Sequence, residues 1–225
     1  MSDSSRSKAT TTELTSRSSV RLTGKHTAGV REFVAAVGAR APVPGGGAAS
    51  AVAAALAAAL AEMAGRYTVG HGSGPSSFSD VVSRAEFLSE RALLLADEDS
   101  HAYESYVAIR RQTDSDPVRA RRDRARAAEV AAAVPGELAC LALEVAGLGE
   151  RLVEAGNPHL RSDACAAVLL SAAVAGSAAV LVAENLKADG GDARIAEARR
   201  CARVAAEAAS RVAEALGLME EGELR

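Results

Sequence analysis

The apolar residues of this chain are almost all small, and this feature limits the folds open to it. Hydrophobic residues make up 48% of the 225 residues, yet aromatic residues only 3%, and tryptophan is absent. Alanine has the highest helix propensity but buries little area per residue, so alanine-rich helices must pack closely over long interfaces. No segment shows the alternation typical of strands. The sequence therefore predicts an all-α fold, an antiparallel bundle.

Glycine, proline and serine clusters divide residues 25–220 into six predicted helices of a single domain. Residues 1–24, rich in serine, threonine and basic residues, are predicted to be a disordered tail, with a transit peptide as the alternative. No secretory signal is visible. The predicted helices cover about 28–39, 48–66, 79–112, 117–155, 163–187, and the stretch from after Gly191 to about 217.

Three positions mark the expected helix boundaries. Asp116 precedes Pro117 and is suited to cap the fourth helix. Pro135 is expected to kink or divide that helix. Either Ser162 or Asp163 could cap the fifth helix.

The uncharged stretch 164–183 has the length that spans a bilayer. Half of it is alanine, glycine and serine, and the other helices are amphipathic and charged. The small residues Ser171, Ala175 and Ala179 would let neighbouring helices approach closely. We therefore expect a buried central helix rather than a membrane span, and the same for the alanine-rich stretch 48–61.

Charge and cysteine usage restrict the partners. The formal net charge is −3, which argues against a nucleic-acid binder. The three cysteines fit no zinc spacing and are expected to be buried free thiols in a reducing, cytoplasmic compartment, with no metal bound. An arginine-rich stretch is interrupted by acids and lacks aromatic residues, so we expect a solvated helix face. Its basic residues are Arg110, Arg111, Arg119, Arg121, Arg122, Arg124 and Arg126.

The segment Pro44-Gly45-Gly46-Gly47 stands directly before an alanine-rich helix. Glycines without a Cβ allow a ligand or another backbone to approach closely, and free N–H groups at a helix start attract anions. The segment lacks the residues of a P-loop or a dinucleotide fingerprint. Taken alone, it fits either a flexible turn or a ligand-binding loop.

A run of acidic residues with a histidine and a tyrosine lies within the third predicted helix. Asp97 and His101 share one face, as do Asp99 and Tyr103, so proton transfer between neighbouring turns is conceivable. Glu98 and His101 match half of a di-iron motif, but no second half exists among the other histidines. From these residues alone, a solvated charged face is the simpler interpretation.

Together, these segments resemble the cyclodeaminase domain of formiminotransferase-cyclodeaminase, a family that includes free-standing bacterial cyclodeaminase and methenyltetrahydrofolate cyclohydrolase proteins. The resemblance covers about 28–190. It is carried by the PxPGGG segment, the DxxA(F/Y) box at Asp99 to Tyr103, AAEVAAAVPGELA, GN followed by SDA, and ENL. Similarity to this family implies a helical homodimer that takes a tetrahydrofolate derivative as substrate.

The resemblance also implies roles for individual residues. Asp99 matches the acid of the DxxA(F/Y) box and is the expected proton shuttle, supported by Asp97. The implied substrate-binding residues are Pro44, Gly45, Gly46, Gly47, Tyr103, Asn157, Asp163 and Asn185. The implied reaction is the cyclodeamination of 5-formiminotetrahydrofolate to 5,10-methenyltetrahydrofolate and ammonia, with methenyltetrahydrofolate cyclohydrolysis as the alternative.

One departure separates this chain from the family pattern. After Thr68 and Gly70 the family usually continues with basic residues and an aromatic residue, whereas here His71 is followed by GSGPSSF. If those bases hold the glutamate carboxylates of a folate, binding would be weaker or the ligand different. A non-catalytic helical dimer that binds a small ligand is therefore a further alternative.

Overall fold

The computed structural model of the protein describes residues 29–70, 78–112, 116–186 and 192–217. Every regular element in these ranges is helical, as predicted. The predicted tail, 1–24, and the divergent segment from His71 to Ser77 lie outside the described residues. The elements are α1 (Val30–Val37), α2 (Gly46–Gly70), α3 (Phe78–Arg111), α4 (Pro117–Ala155), a 3-10 turn (Pro158–Leu160), α5 (Arg161–Asn185) and α6 (Ala193–Ala215).

Helices α2 and α5 form the centre of the bundle and run antiparallel. The Ser50 and Ser177 hydroxyl groups hydrogen-bond at 2.8 Å, and one turn further on Gly46 lies beside Leu181. Helix α3 packs on α2, α6 packs on α5, and α4 contacts all four of these helices. The core is therefore a bundle built around two helices rich in small, uncharged side chains.

Small side chains set the distance between helices, as the composition predicted. Ser171, Ala175 and Ala179 of α5 are buried. A Cβ added at Gly149 of α4 would lie 2.6 Å from a methyl group of Val168 on α5, well inside van der Waals contact. By length and composition alone, α2, α4 and residues 158–185 could each cross a membrane; at least half of the apolar stretch of each is buried in the bundle.

The start of α5 differs from the expectation. Helix α5 begins at Arg161, and neither Ser162 nor Asp163 caps it; both lie in its first turn. The Asn157 side chain instead accepts a hydrogen bond from the His159 N–H and caps the 3-10 turn, which leads directly into α5. The Asp116 cap of α4 is confirmed, since its carboxylate accepts from the Val118 and Arg119 N–H groups.

Pro135 does not divide α4, which continues from Pro117 to Ala155. Proline has no N–H, so the Ala131 carbonyl, four residues earlier, loses its normal helical donor. The side-chain amide of Asn185 replaces it with a hydrogen bond of 2.9 Å. A tertiary contact thus compensates for the missing bond and allows the helix to continue.

The expectation of buried thiols is right for two of the three cysteines. Cys165 and Cys201 are buried, but Cys140 is exposed on α4. Its sulfur lies 3.4 Å from that of Cys201 on α6. The arginines of the basic stretch are all exposed, as predicted.

Candidate active site

A cavity of about 230 Å³ opens at the N-terminal end of α2. Helices α3, α4 and α5 and the loop before α2 complete its walls. The cavity is the meeting point of segments that are far apart in sequence. Its lining residues are Pro42, Val43, Gly45, Gly46, Gly47, Asp99, Tyr103, Ala131, Leu181 and Asn185.

The Asp99 carboxyl group lies against the backbone at the start of α2. A Cβ added at Gly47 would overlap both oxygens of this carboxyl group, so only glycine at position 47 leaves space for it. The Ala48 N–H donates a hydrogen bond to the Asp99 carboxyl group. The glycine segment therefore accommodates a carboxyl group of α3, which the interpretation as a flexible turn does not explain.

Two opposing effects set the protonation of Asp99. Burial penalises the charged form and raises the pKa of the Asp99 carboxyl, while the Ala48 N–H bond favours the carboxylate and lowers it. Burial is the larger effect, so the pKa of Asp99 lies above its ordinary value. A carboxyl group with a raised pKa is a stronger base than a free one, which favours its accepting a proton from a substrate.

Tyr103 follows Asp99 by one helical turn and lies on the same side of α3. Its ring lines the cavity and is 40% exposed, which places it toward the mouth. The ring of Tyr106 lies 6.1 Å from that of Tyr103, centroid to centroid. Asp99 thus forms the floor of the cavity, and two aromatic side chains continue from it toward the surface.

Asn185 is held in one orientation by the Ala131 carbonyl, which lacks a helical donor because of Pro135. The Ala131 carbonyl can only accept, so the Nδ2 atom of Asn185 must face it. The Oδ1 atom then has no partner among the described residues, and the side chain lines the cavity. The arrangement supplies an oriented acceptor opposite the carboxyl group of Asp99.

The structure does not bring all the predicted site residues together. Asp97 is two residues from Asp99, about 200° around the helix, and does not line the cavity. Asn157 packs at the opposite end of α2, where its N–H bonds to the Thr68 hydroxyl at 2.9 Å. Asp163 is in the first turn of α5, close in sequence to Asn157. Within one chain, Asn157 and Asp163 belong to the other end of the bundle.

Among the remaining charged or titratable residues of this run, Glu98, His101 and Glu104 are exposed, as the simpler interpretation held. Glu98 pairs with Arg91 at 2.6 Å, and His101 is exposed. In the part of the chain that the structure describes, one group could offer three metal ligands within 4.8 Å of one another: Cys140, Glu197 and Cys201. None of these three lines the cavity, and Glu197 is already paired with Arg200.

Sequence reasoning missed several wall residues. The predicted site residues did not include Pro42, Val43, Ala131 and Leu181, although Pro42 and Val43 belong to the PxPGGG segment. For Ala131 a signal existed: a proline within a helix leaves the carbonyl four residues earlier without a donor. The sequence could not indicate which side chain would come to that carbonyl.

Comparisons with known proteins point to one family. Residues 29–208 match the sequence model of the formiminotransferase-cyclodeaminase family. The chain is 30% identical over 166 residues to the methenyltetrahydrofolate cyclohydrolase of Methylorubrum extorquens. The aligned region covers 70% of this chain and 79% of that protein. Its fold is similar to the crystal structure of formiminotetrahydrofolate cyclodeaminase from Thermotoga maritima, with a TM-score of 0.75 and 28% identity over 84% of this chain and 96% of that chain.

Proposed function

Because the chain belongs to the formiminotransferase-cyclodeaminase family, we propose that it converts 5-formiminotetrahydrofolate to 5,10-methenyltetrahydrofolate and ammonia. The observation that carries the proposal is the Asp99 carboxyl group, partly buried against Gly47 in a cavity lined by Tyr103 and Asn185. It is the one acidic residue among those that line the cavity.

The reaction needs one proton moved between two nitrogens. The formimino group is protonated on its nitrogen, and N10 of the folate attacks its carbon. A five-membered ring closes with an amino group on that carbon. The proton on N10 must leave, and the amino group must gain a proton to depart as ammonia. No proton is gained or lost overall, since a cationic amidine gives a cationic methenyl product and neutral ammonia.

A single carboxyl group can make both transfers. The Asp99 carboxylate accepts the proton from N10, and the resulting acid donates it to the departing nitrogen. A raised pKa suits this exchange, because the acid form is then not too costly at neutral pH. The Asn185 Oδ1 atom is placed to accept a hydrogen bond from an N–H group of the substrate.

The similarity to a methenyltetrahydrofolate cyclohydrolase favours a second candidate reaction. There, water adds to the methenyl carbon while Asp99 accepts its proton. Asp99 then protonates N5 as the carbon–nitrogen bond breaks, and 10-formyltetrahydrofolate forms with release of one proton. The ring carbon carries an amino group in the first reaction and a hydroxyl group in the second, and the two rings are otherwise alike, so the same residues can serve either reaction.

Matched substitutions on α3 test the proposal. Purified protein is mixed with 5-formiminotetrahydrofolate, and the methenyl absorbance and the ammonia released are both followed. We expect Asp99→Asn to lower kcat by about 10²–10⁴-fold. Asp97→Asn, on the same helix but outside the cavity, should retain most of the wild-type rate.

The outcomes separate the alternatives. Loss of methenyl absorbance from added methenyltetrahydrofolate, without activity on the formimino compound, would assign the chain to the cyclohydrolase reaction. Binding of both folates without turnover would identify a non-catalytic relative. An equal loss of activity in the Asp97→Asn and Asp99→Asn variants would refute the assignment of Asp99.

We also propose that the protein is a homodimer. Leu56 on α2 is 57% exposed, and the antiparallel pairing of α2 with α5 puts it level with the exposed Leu169 and Leu170. Apolar side chains clustered on adjacent helices are typical of subunit interfaces. Light scattering should give twice the chain mass for the wild type and a monomer for Leu56→Glu; a monomeric wild type would contradict the proposal.

A further inference from the structure

A second cavity, of about 360 Å³, lies next to the Asp99 cavity between α3 and α4. Ala102, Tyr106 and Ile109 line it from α3, and Arg126, Ala127 and Val130 line it from α4. We propose that this groove binds the aminobenzoyl-glutamate tail of the folate, with the Arg126 guanidinium pairing with a glutamate carboxylate. The inference rests on the proposed function and adds to it a subsite for the part of the substrate that does not react.

The Asp99 cavity is too small for a whole folate. Its volume of about 230 Å³ is below the ~300–1,000 Å³ that is usual for sites of drug-sized ligands. It has room for the reacting ring and part of the pterin. The rest of the molecule must leave through the mouth of the cavity.

The second cavity begins where the first one ends. Ala102 and Val130 line the second cavity, and their chain neighbours Tyr103 and Ala131 line the first. On α3, the residues Asp99, Tyr103 and Tyr106 follow one another at helical spacing along one face. The two cavities are therefore neighbours along the α3–α4 interface, and the proposal joins them into one path for the substrate.

The length of this path suits the tail. Seven residues separate Asp99 from Tyr106, which corresponds to about 10 Å along the axis of α3. An aminobenzoyl ring and its amide bond bridge a similar distance between N10 and the glutamate carboxylates. The half-buried ring of Tyr106 offers a flat surface along the way, held by Arg110, whose guanidinium donates to the Tyr106 hydroxyl at 3.1 Å.

The guanidinium group of Arg126 favours a carboxylate in the groove. Arg126 is exposed and has no ion pair or hydrogen bond with any described residue. Asp123 also lines the groove, and its carboxylate lies 3.8 Å from Arg119 and 3.7 Å from Arg122. Because these two arginines offset the charge of Asp123, Arg126 keeps all its donors for a ligand.

The other basic position suggested by the sequence is too distant within one chain. Gly70, after which the family pattern places basic residues, is separated from Gly46 by the whole of α2, about 36 Å. A single glutamate of a folate at Asp99 cannot extend that far. The absence of lysine or arginine after Gly70 therefore leaves the proposed subsite intact.

The experiment compares Arg126→Ala with Arg124→Ala, an exposed arginine of α4 that does not line the groove. Steady-state kinetics are measured with 5-formiminotetrahydrofolate and with an analogue in which a simple amide replaces the glutamate. Affinity for methenyltetrahydrofolate is measured by calorimetry. For Arg126→Ala we expect KM and Kd to rise about tenfold for the folates, with kcat unchanged, because a charge-assisted hydrogen bond at an exposed site is lost.

The controls distinguish charge from structure. The analogue without carboxylates should show the same KM in wild type and Arg126→Ala, and Arg126→Lys should recover part of the folate affinity. Turnover by the wild type with equal KM values in Arg126→Ala and Arg124→Ala would overturn the subsite and leave the proposed function standing. Folate binding that Arg126→Ala weakens, without turnover, would support the subsite and refute the enzyme function; a wild type that binds no folate would refute both.

Discussion

The Asp99 carboxyl group of α3 fills the space that the Cβ of any other residue at position 47 would occupy, so there is no room for even one added carbon atom at the start of α2. The contact joins a proton-transfer group to a main-chain N–H donor, that of Ala48. Position 47 is therefore as much a part of the site as the acid itself.

Gly47→Ala should inactivate the protein while leaving it folded. The added methyl group must displace the carboxyl group from the Ala48 N–H, since the three atoms nearest to the new Cβ all belong to that carboxyl group. We expect kcat to fall about 10²-fold or more, as for loss of an acid–base group. Gly147→Ala, with open space around its Cβ position, is the control and should keep its activity. An active Gly47→Ala variant would show that the carboxyl group does not need this position.

Asp99→Asn should raise stability at neutral pH even as it removes activity. The folded state holds the Asp99 proton more tightly than the unfolded chain does, so the wild type loses stability as the pH rises from about 4 toward the raised folded pKa. The neutral amide avoids this loss and can still accept from the Ala48 N–H. Thermal unfolding from pH 4 to 8 should show a Tm difference that grows with pH and then levels off. A difference that stays constant over this range would argue against the raised pKa.

Pro135 and Asn185 should be energetically coupled although they are on different helices. Asn185→Ala leaves the Ala131 carbonyl without a donor and should cost about 1–2 kcal/mol of unfolding free energy. In a Pro135→Ala background the helix supplies its own N–H, and the same change should cost less. Denaturant unfolding of the four proteins gives the coupling energy, expected at about 1 kcal/mol. Additive effects would mean that the amide does not act as the missing helical donor.

One of the three thiols should react rapidly in the native state. Cys140 is exposed, whereas burial raises the pKa of the Cys165 thiol and, with the neighbouring Cys140, raises that of Cys201 to about 12. A chromogenic disulfide reagent should therefore label one thiol quickly in native protein and all three after denaturation. Cys140→Ser should abolish the fast phase, and its persistence would place the reactive thiol elsewhere.

The sequence predicted the helices well because their signals are local. Alanine content, the Asp116 cap and the glycine breaks all act within a few residues, and each predicted helix is present with small changes at its ends. The predicted start of α5 was two residues too late because Asn157 caps a 3-10 turn that the sequence pattern did not indicate. The division expected at Pro135 is absent, because the side chain that replaces its missing N–H lies 50 residues further along the chain.

The site was predictable only in part, for a similar reason. Asp99, Tyr103, the glycines and Asn185 were singled out by their resemblance to a family pattern, and the structure brings them to one cavity. Asp97 shares their segment but faces elsewhere, which helical geometry alone could have indicated. Asn157 and Asp163 belong to the same pattern, yet they are close to the opposite end of α2.

The proposed path from Asp99 to Arg126 has a consequence for how the protein could be altered by design. Its two ends tolerate change very differently, because one is enclosed by backbone atoms and the other is an open, solvated surface. Substitutions around Arg126 should change which tails are accepted and leave the chemistry alone, whereas a single methyl group at the glycine end removes the chemistry. The range of accepted tails should therefore be open to change by substitution without loss of the reaction itself.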